Sequence, residues 1–210
     1  RVSDLLPSPQ EVIALTDTHA SNEELFLLKK LIKDIFSSDN IFCPMPKWEQ
    51  NESEFFINTL ITSDKTPNRA GAVALNIKGD VALKKLKKAI ETNLKVVVIL
   101  GNPFESELEI HEKIKKAQLV IHIGTFHNLW SEIADVLLSG QYYSEKEGTF
   151  TNKNQRVQLT EIAVKALRRT RPEWQIILEL SKALGYQSSF NSTADVFKAI
   201  TEQEKSFSGL

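Results

Sequence analysis

The sequence predicts an α/β fold: a doubly wound, Rossmann-like and mainly parallel sheet with flanking helices and a helical C-terminal tail. Two observations carry that expectation. The runs at 95–100 and 119–124 are apolar with almost no polar alternation, as strands covered on both faces must be. Stretches with apolar residues at helical spacing separate the runs, and strand followed by helix followed by strand implies right-handed crossovers.

The first element is a short apolar strand at 12–16. Ser21, with Glu24 three residues on, has the spacing of a capping box, so a helix starts there. Leu25, Leu28, Ile32 and Ile35 form its buried stripe and leave Lys29, Lys30, Lys33 and Asp34 toward water. Pro44 and Pro46 break the chain. Residues 52–61, with Phe55, Phe56, Leu60 and Ile61, read as a short helix, and 64–71 as a loop. A helix over 81–92 carries Leu83, Leu86, Ala89 and Ile90 on one face, and Lys84, Lys85, Lys87 and Lys88 read as its solvated side. After the strand at 95–100, Gly101, Asn102 and Pro103 make a turn. A helix over 105–117 then has acidic residues at its start and Lys113, Lys115 and Lys116 at its end, matching the helix dipole. The strand at 119–124, a helical stretch around 130–133 and a last short strand at 135–138 complete the alternation. Pro172 and Gly185 bound a further helix that buries Trp174, Ile177, Leu178 and Leu184. Residues 195–204 form one more. The expected division is an α/β region over 1–158, with a candidate sub-boundary near 64–72, and a helical tail over 159–210.

With 210 residues, 41% hydrophobic and 25% charged, the chain is long and apolar enough to bury the core of one large or two small domains. Lys and Arg number 26 against 27 Asp and Glu, and a net charge of −1 gives no global field that favours nucleic acid or an anionic membrane. The single cysteine, Cys43, excludes an intrachain disulfide, cannot supply the thiolates of an iron–sulfur cluster, and reads as a small buried hydrophobe. No run approaches the roughly 18 apolar residues of a membrane span, and no secretory signal is evident, so a cytosolic location is expected. The chain opens on Arg1 without a starting element, which suggests a piece of something longer.

A parallel sheet binds ligands at the carboxyl ends of its strands, which here means the loops 101–104 and 124–128. Glycine lets a ligand approach the backbone, and the following helix offers free amides. The histidines His19, His111, His122 and His127 have no metal-ligand spacing, and His122, in an apolar strand, reads as a core residue. No Gly-x-Ser-x-Gly elbow, Walker loop or GxGxxG occurs. Trp48, Trp130 and Trp174 are scattered and read as packing groups.

Three stretches carry a family resemblance. Ala134-Asp135-Val136-Leu137-Leu138, followed by Glu145-Lys146-Glu147-Gly148-Thr149-Phe150-Thr151-Asn152 and Arg156-Val157-Gln158, resembles the "ADVVLP…EKEGTFTNxEGRVQ" segment of the molybdopterin oxidoreductase superfamily. That superfamily includes the large iron–sulfur subunit of bacterial NADH:quinone oxidoreductase, respiratory complex I. The loop 64–72 resembles a "DKNPNxxGA" stretch of that subunit, and the helix opened by Arg171-Pro172-Glu173-Trp174 resembles the one that follows the EKEGTFTN segment in the superfamily.

The resemblance implies a domain of the type that holds molybdopterin guanine dinucleotide, next to a region bearing iron–sulfur clusters. In the complex I subunit the pterin is generally absent, and the clusters would lie upstream of this chain. Residues carried over as vestigial cofactor-binding candidates are Gly101 and Asn102, in a Gly-Asn-Pro one residue shorter than the family's GxNP, and Glu147, Gly148, Thr149 and Asn152. No catalytic or metal-ligating residue is assigned. Two departures stand out: Asn154-Gln155 replaces the usual Glu-Gly, and Ser139 replaces the proline after "ADVVL". Arg156 is expected to pin the loop by pairing with a carboxylate.

The function this implies is a scaffold within an NADH dehydrogenase, supporting electron transport toward quinone without a redox centre of its own. Its partners would be the upstream iron–sulfur region and other respiratory subunits, with no nucleic acid and no direct membrane insertion. Its place would be cytoplasmic, peripheral to the inner face of the cell membrane through the complex. The alternatives are a cofactor-binding piece of a catalytic molybdopterin enzyme such as a formate dehydrogenase, or a doubly wound module that binds a nucleotide or a protein.

Overall fold

The computed structural model describes residues 7–45, 66–77, 79, 82–104 and 106–209. Its centre is a five-stranded, wholly parallel sheet: β1 (Val12–Thr16), β2 (Ile41–Phe42), β3 (Val96–Leu100), β4 (Leu119–Gly124) and β5 (Val136–Ser139), in spatial order β2-β1-β3-β4-β5. The expected doubly wound α/β class is therefore the observed one.

Both faces of the sheet are covered, which explains why its strands need no polar alternation. Successive side chains of a strand point to opposite faces, so β1 divides its residues between two cores. Val12 and Ala14 join Val98, Leu100 and Ile123 in one, and Ile13 and Leu15 join Val97, Ile99 and Val120 in the other. The first core is closed by α1 (Asn22–Lys30), α2 (Arg69–Ala74), α6 (Glu173–Ala183) and α7 (Thr193–Gln203). The second is closed by α3 (Ala82–Ala89), α4 (Leu108–Ile114) and α5 (Leu129–Ile133) through Leu86, Ile90, Ile110, Ile114 and Trp130.

The capping box at α1 forms as its spacing predicts: the Glu24 amide donates to Ser21 Oγ at 3.2 Å, and the Ser21 amide donates back to Glu24 Oε2 at 2.9 Å. The burial of α1 differs from the expected stripe. Every residue from 22 to 28 is buried, because α6 and α7 lie against this helix and a hairpin covers its N-terminus. A π-helical turn at Leu31–Ile35 ends it.

Several boundaries differ from expectation for local reasons. Part of the loop expected at 64–71 is helical, since α2 begins at Arg69. The helix expected over 105–117 is shortened to α4, after Phe104 takes a left-handed φ of 54°. The segment resembling EKEGTFTN is no plain loop. It forms β6 (Gly148–Thr151), paired antiparallel with β7 (Val157–Thr160) around a turn in which Gln155 has φ 63°. The helix expected at 52–61 lies outside the described residues.

Gly185, with φ 89°, ends α6 in the left-handed conformation its position suggested. Cys43 is fully buried and burial pushes its thiol up, away from reactivity. No helix among the described residues is long and apolar enough to cross a membrane.

Candidate functional site

Between β1 and β3 the strand order reverses. The chain leaves β1 toward α1 and β2, and leaves β3 in the other direction toward α4 and β4, which opens a crevice above the carboxyl ends. A cleft of about 930 Å³ lies there. Asp17 and His19 line it from the turn after β1, Gly101 and Asn102 from the turn after β3, residues 125–128 from the loop after β4, and Tyr142, Tyr143 and Lys146 from the loop after β5. Phe150 and Leu159 close it from the hairpin.

Asp17 spans the switch point. The Asn102 amide donates to its Oδ2 at 2.7 Å, and the His19 amide donates to its Oδ1 at 2.8 Å. Only glycine serves at 101: its φ is 80°, and a Cβ there would collide with Asp17 Oδ2. His122 supports the turn from below, its Nε2 donating to the Gly101 carbonyl at 2.9 Å. A carbonyl only accepts, so the proton sits on Nε2. Burial holds the ring below its ordinary pKa and therefore neutral. His19, by contrast, is raised by its hydrogen bond to Asp17, with Nδ1 3.4 Å from Oδ1.

A buried ion triad forms the cleft floor. Lys146 Nζ lies 2.6 Å from Glu24 Oε1 and 2.7 Å from Glu173 Oε2, with all three side chains almost closed to solvent. Burial, reinforced by the Glu24 carboxylate, pushes Glu173 up to about 7. Burial opposes the charge on Lys146, but the two carboxylates outweigh it and raise its pKa. Three elements distant in sequence, α1, the loop after β5 and the start of α6, meet at one ammonium.

The hairpin is fastened to α1 by buried polar groups. The Thr149 amide and Oγ1 donate to Glu23 at 2.9 and 2.8 Å, and Asn22 Nδ2 donates to the hydroxyls of Thr149 and Thr151 at 3.0 and 3.1 Å. The Thr151 amide donates to Asn68 Oδ1 at 2.8 Å. Glu23 is raised by burial, with its hydrogen bonds from Thr149 acting the other way.

The six candidates named from sequence fall in two places. Gly101 and Asn102 line the cleft. Thr149 and Gly148 face α1, the latter with its backbone against Ser21, and Glu147 is exposed and accepts from Thr193 Oγ1 at 2.6 Å. Asn152 organises the hairpin turn: its Oδ1 accepts from the amides of Asn154 and Arg156 at 2.9 and 3.1 Å. The expected carboxylate partner for Arg156 is not seen among the described residues; Lys146 and Thr149 do the pinning instead. Sequence reasoning missed Asp17, Lys146, Glu24, Glu173 and the aromatic rim of Phe126, Tyr142 and Tyr143. Asp17 had a usable signal, as the first residue beyond the first strand.

A pterin dinucleotide would bring two phosphates to this cleft. The described residues do not fit them. The Asn102 amide at the end of β3 already donates to Asp17 Oδ2, so it is not a free donor for an anion. Three carboxylates line the cleft against one ammonium already paired twice, and no arginine is among the lining residues.

Residues 46–183, more than half of the chain, match the family model described as molybdopterin oxidoreductase. The chain is 32% identical over 124 residues to the F420-dependent formate dehydrogenase subunit alpha of Methanocaldococcus jannaschii, covering 56% of this chain and 18% of that one. It is 30% identical over 112 residues to the mitochondrial NADH-ubiquinone oxidoreductase 78 kDa subunit of Neurospora crassa, covering 53% and 14%. It is 34% identical over 88 residues to the NADH-ubiquinone oxidoreductase 75 kDa subunit of Reclinomonas americana, covering 42% and 13%. The chain spans less than a fifth of the length of each of these relatives.

Proposed function

The chain belongs to the molybdopterin oxidoreductase family, and from that membership we propose that it is a scaffold of an NADH:quinone oxidoreductase large subunit rather than a seat of catalysis. The observation that supports this most is the Asp17 carboxylate on the amides of Asn102 and His19, an internal anion where a cofactor phosphate would lie. The EKEGTFTN-like hairpin adds to it, since Thr149 and Thr151 turn their hydroxyls to α1 and away from the cleft. On this reading the buried triad and the hairpin serve rigidity, holding a layered domain beside a region that carries electrons. The iron–sulfur clusters belong to other parts of the protein, and the assembly sits on the cytoplasmic side, peripheral to the membrane, among other respiratory subunits.

The second reading is a cofactor-binding piece of a catalytic enzyme like the formate dehydrogenase relative. It has the size and position of the cleft in its favour. Metal and pterin analysis of the full-length protein separates the two. The scaffold reading expects no stoichiometric molybdenum or tungsten, no pterin released on oxidation, and NADH oxidation by the assembly that contains it. About one metal and its pterin per protein would contradict it.

A further inference from the structure

We infer that the strap at 161–171, between β7 and α6, is a docking surface for a partner protein whose contact face is apolar and acidic. The inference goes beyond the scaffold reading and does not depend on it. The strap is not part of the cleft lining, and its chemistry is the same whether or not a cofactor is held.

The strap has no regular secondary structure, yet its backbone is fixed. The amides of Ala163 and Val164 donate to the Ser144 carbonyl at 2.9 and 3.0 Å, that of Leu167 to Glu145 Oε1 at 3.2 Å, and that of Arg171 to the Ser139 carbonyl at 3.2 Å. At Leu167 the chain turns, its carbonyl accepting from the amide and the hydroxyl of Thr170. The strap is thus held by its main chain while its apolar side chains stay in the open: Ile162, Val164 and Leu167 are 59%, 51% and 70% exposed. Leu159 at the end of β7 and Tyr143 beside Ser144 are exposed as well and extend the patch. A surface already fixed costs little further entropy when a partner settles on it.

The same strap is basic. Lys165, Arg168 and Arg169 are exposed and form no ion pair among the described residues, whereas Arg171 is taken by Glu179. Glu161 is the single acid between 161 and 171, in a chain whose net charge is only −1. Apolar side chains interleaved with open cations are complementary to a face that buries the first and brings carboxylates to the second. A second copy meeting this surface across a two-fold axis would set the same cations against each other. A bilayer fits no better. The amides of Ile162, Lys165 and Ala166 have no protein partner among the described residues, and irregular backbone with open polar groups does not enter hydrocarbon. A protein face supplies acceptors for them.

The test places the photoreactive residue p-benzoylphenylalanine at position 167 of the full-length protein in its assembly, and in a control at position 108, where Leu108 of α4 is similarly exposed. Illumination and mass spectrometry then identify what is joined. Position 167 is expected to join a partner protein at a segment with Asp or Glu beside apolar residues, with a yield that falls from about 0.05 to 0.5 M salt; position 108 does not join that segment. Arg168→Glu with Arg169→Glu is expected to lower the yield about 5-fold or more through charge reversal at the contact. Lys84→Glu with Lys85→Glu, on the solvated side of α3, leaves it unchanged. All these side chains are exposed, so circular dichroism should match the wild type, and Lys165→Glu gives the same direction should the arginine pair unfold. A crosslink to lipid, to a second copy or to another part of the same polypeptide, a partner segment without acids, no crosslink from 167, or a yield indifferent to the reversal would overturn the inference. Crosslinking reads this surface and the metal analysis reads a cofactor, so either can fail without the other.

Discussion

Lys146 and Glu173 hold an ammonium and a carboxylate 2.7 Å apart with both side chains only 7% exposed, and Glu24 completes the set at 2.6 Å from the same nitrogen. Two carboxylates share one ammonium in a place water barely reaches. Burial and the nearby Glu24 carboxylate push Glu173 up to about 7, so it takes up a proton far more readily than an ordinary glutamate.

Removing the ammonium leaves the carboxylates facing each other. Lys146→Met is expected to lower unfolding stability by about 3–5 kcal/mol, the usual cost of breaking a buried pair on one side. Adding Glu173→Gln recovers part of that loss, because the repulsion goes with the second charge. Urea unfolding of the two variants at neutral pH checks both statements.

The raised pKa of Glu173 gives a direction to the pH dependence. Glu173 has a folded-state pKa of about 7 against an ordinary 4.5, so the folded form binds the proton more tightly than the unfolded chain. The stability this contributes is complete below about 4.5 and is lost as pH rises toward 7. Glu24, Lys146 and Thr125 are the groups that face this carboxylate. His122 acts in the opposite sense: its pKa is depressed by burial, so acidification below 6.5 destabilises the fold. Comparing urea midpoints of the wild type and Glu173→Gln from pH 5 to 7 cancels the histidine. The wild type should lose stability relative to the variant as pH rises across that window.

Gly101→Ala tests the turn at the switch point. A side chain there must adopt φ near 80° and displace Asp17, and the left-handed conformation alone costs about 1–2 kcal/mol. A lower urea midpoint is expected, together with changed amide resonances at Asn102 and His19. An alanine variant with the wild-type midpoint and spectrum would show that Asp17 does not rest against this glycine.

How much of this was legible beforehand follows the range of each interaction. The parallel sheet could be read because Val97, Val98 and Ile99 need no polar alternation when helices cover both faces. The capping box at Ser21 and Glu24 and the end of α6 at Gly185 are local, and spacing alone revealed them. The loop after β3 was legible as the carboxyl end of a parallel strand, and Gly101 and Asn102 within it through the resemblance of Gly-Asn-Pro to the family's GxNP. The partner that occupies that turn was not, since Asp17 lies 85 residues from Asn102. Lys146 is 122 residues from Glu24, and no periodicity links a loop lysine to a capping glutamate. The hairpin was hidden for a related reason. Thr149 and Thr151 alternate as strand residues do, but their buried faces are polar, satisfied by Asn22, Glu23 and Asn68 and not by an apolar core.

The central claim, that this family member carries its own anion where a cofactor phosphate would bind, can be read at a single amide. Titrating the chain with guanosine diphosphate while following the Asn102 and His19 resonances should leave both unmoved to millimolar nucleotide, because Asp17 already accepts from them. Saturable movement of these two amides, with the nucleotide displacing the Asp17 carboxylate, would contradict the account.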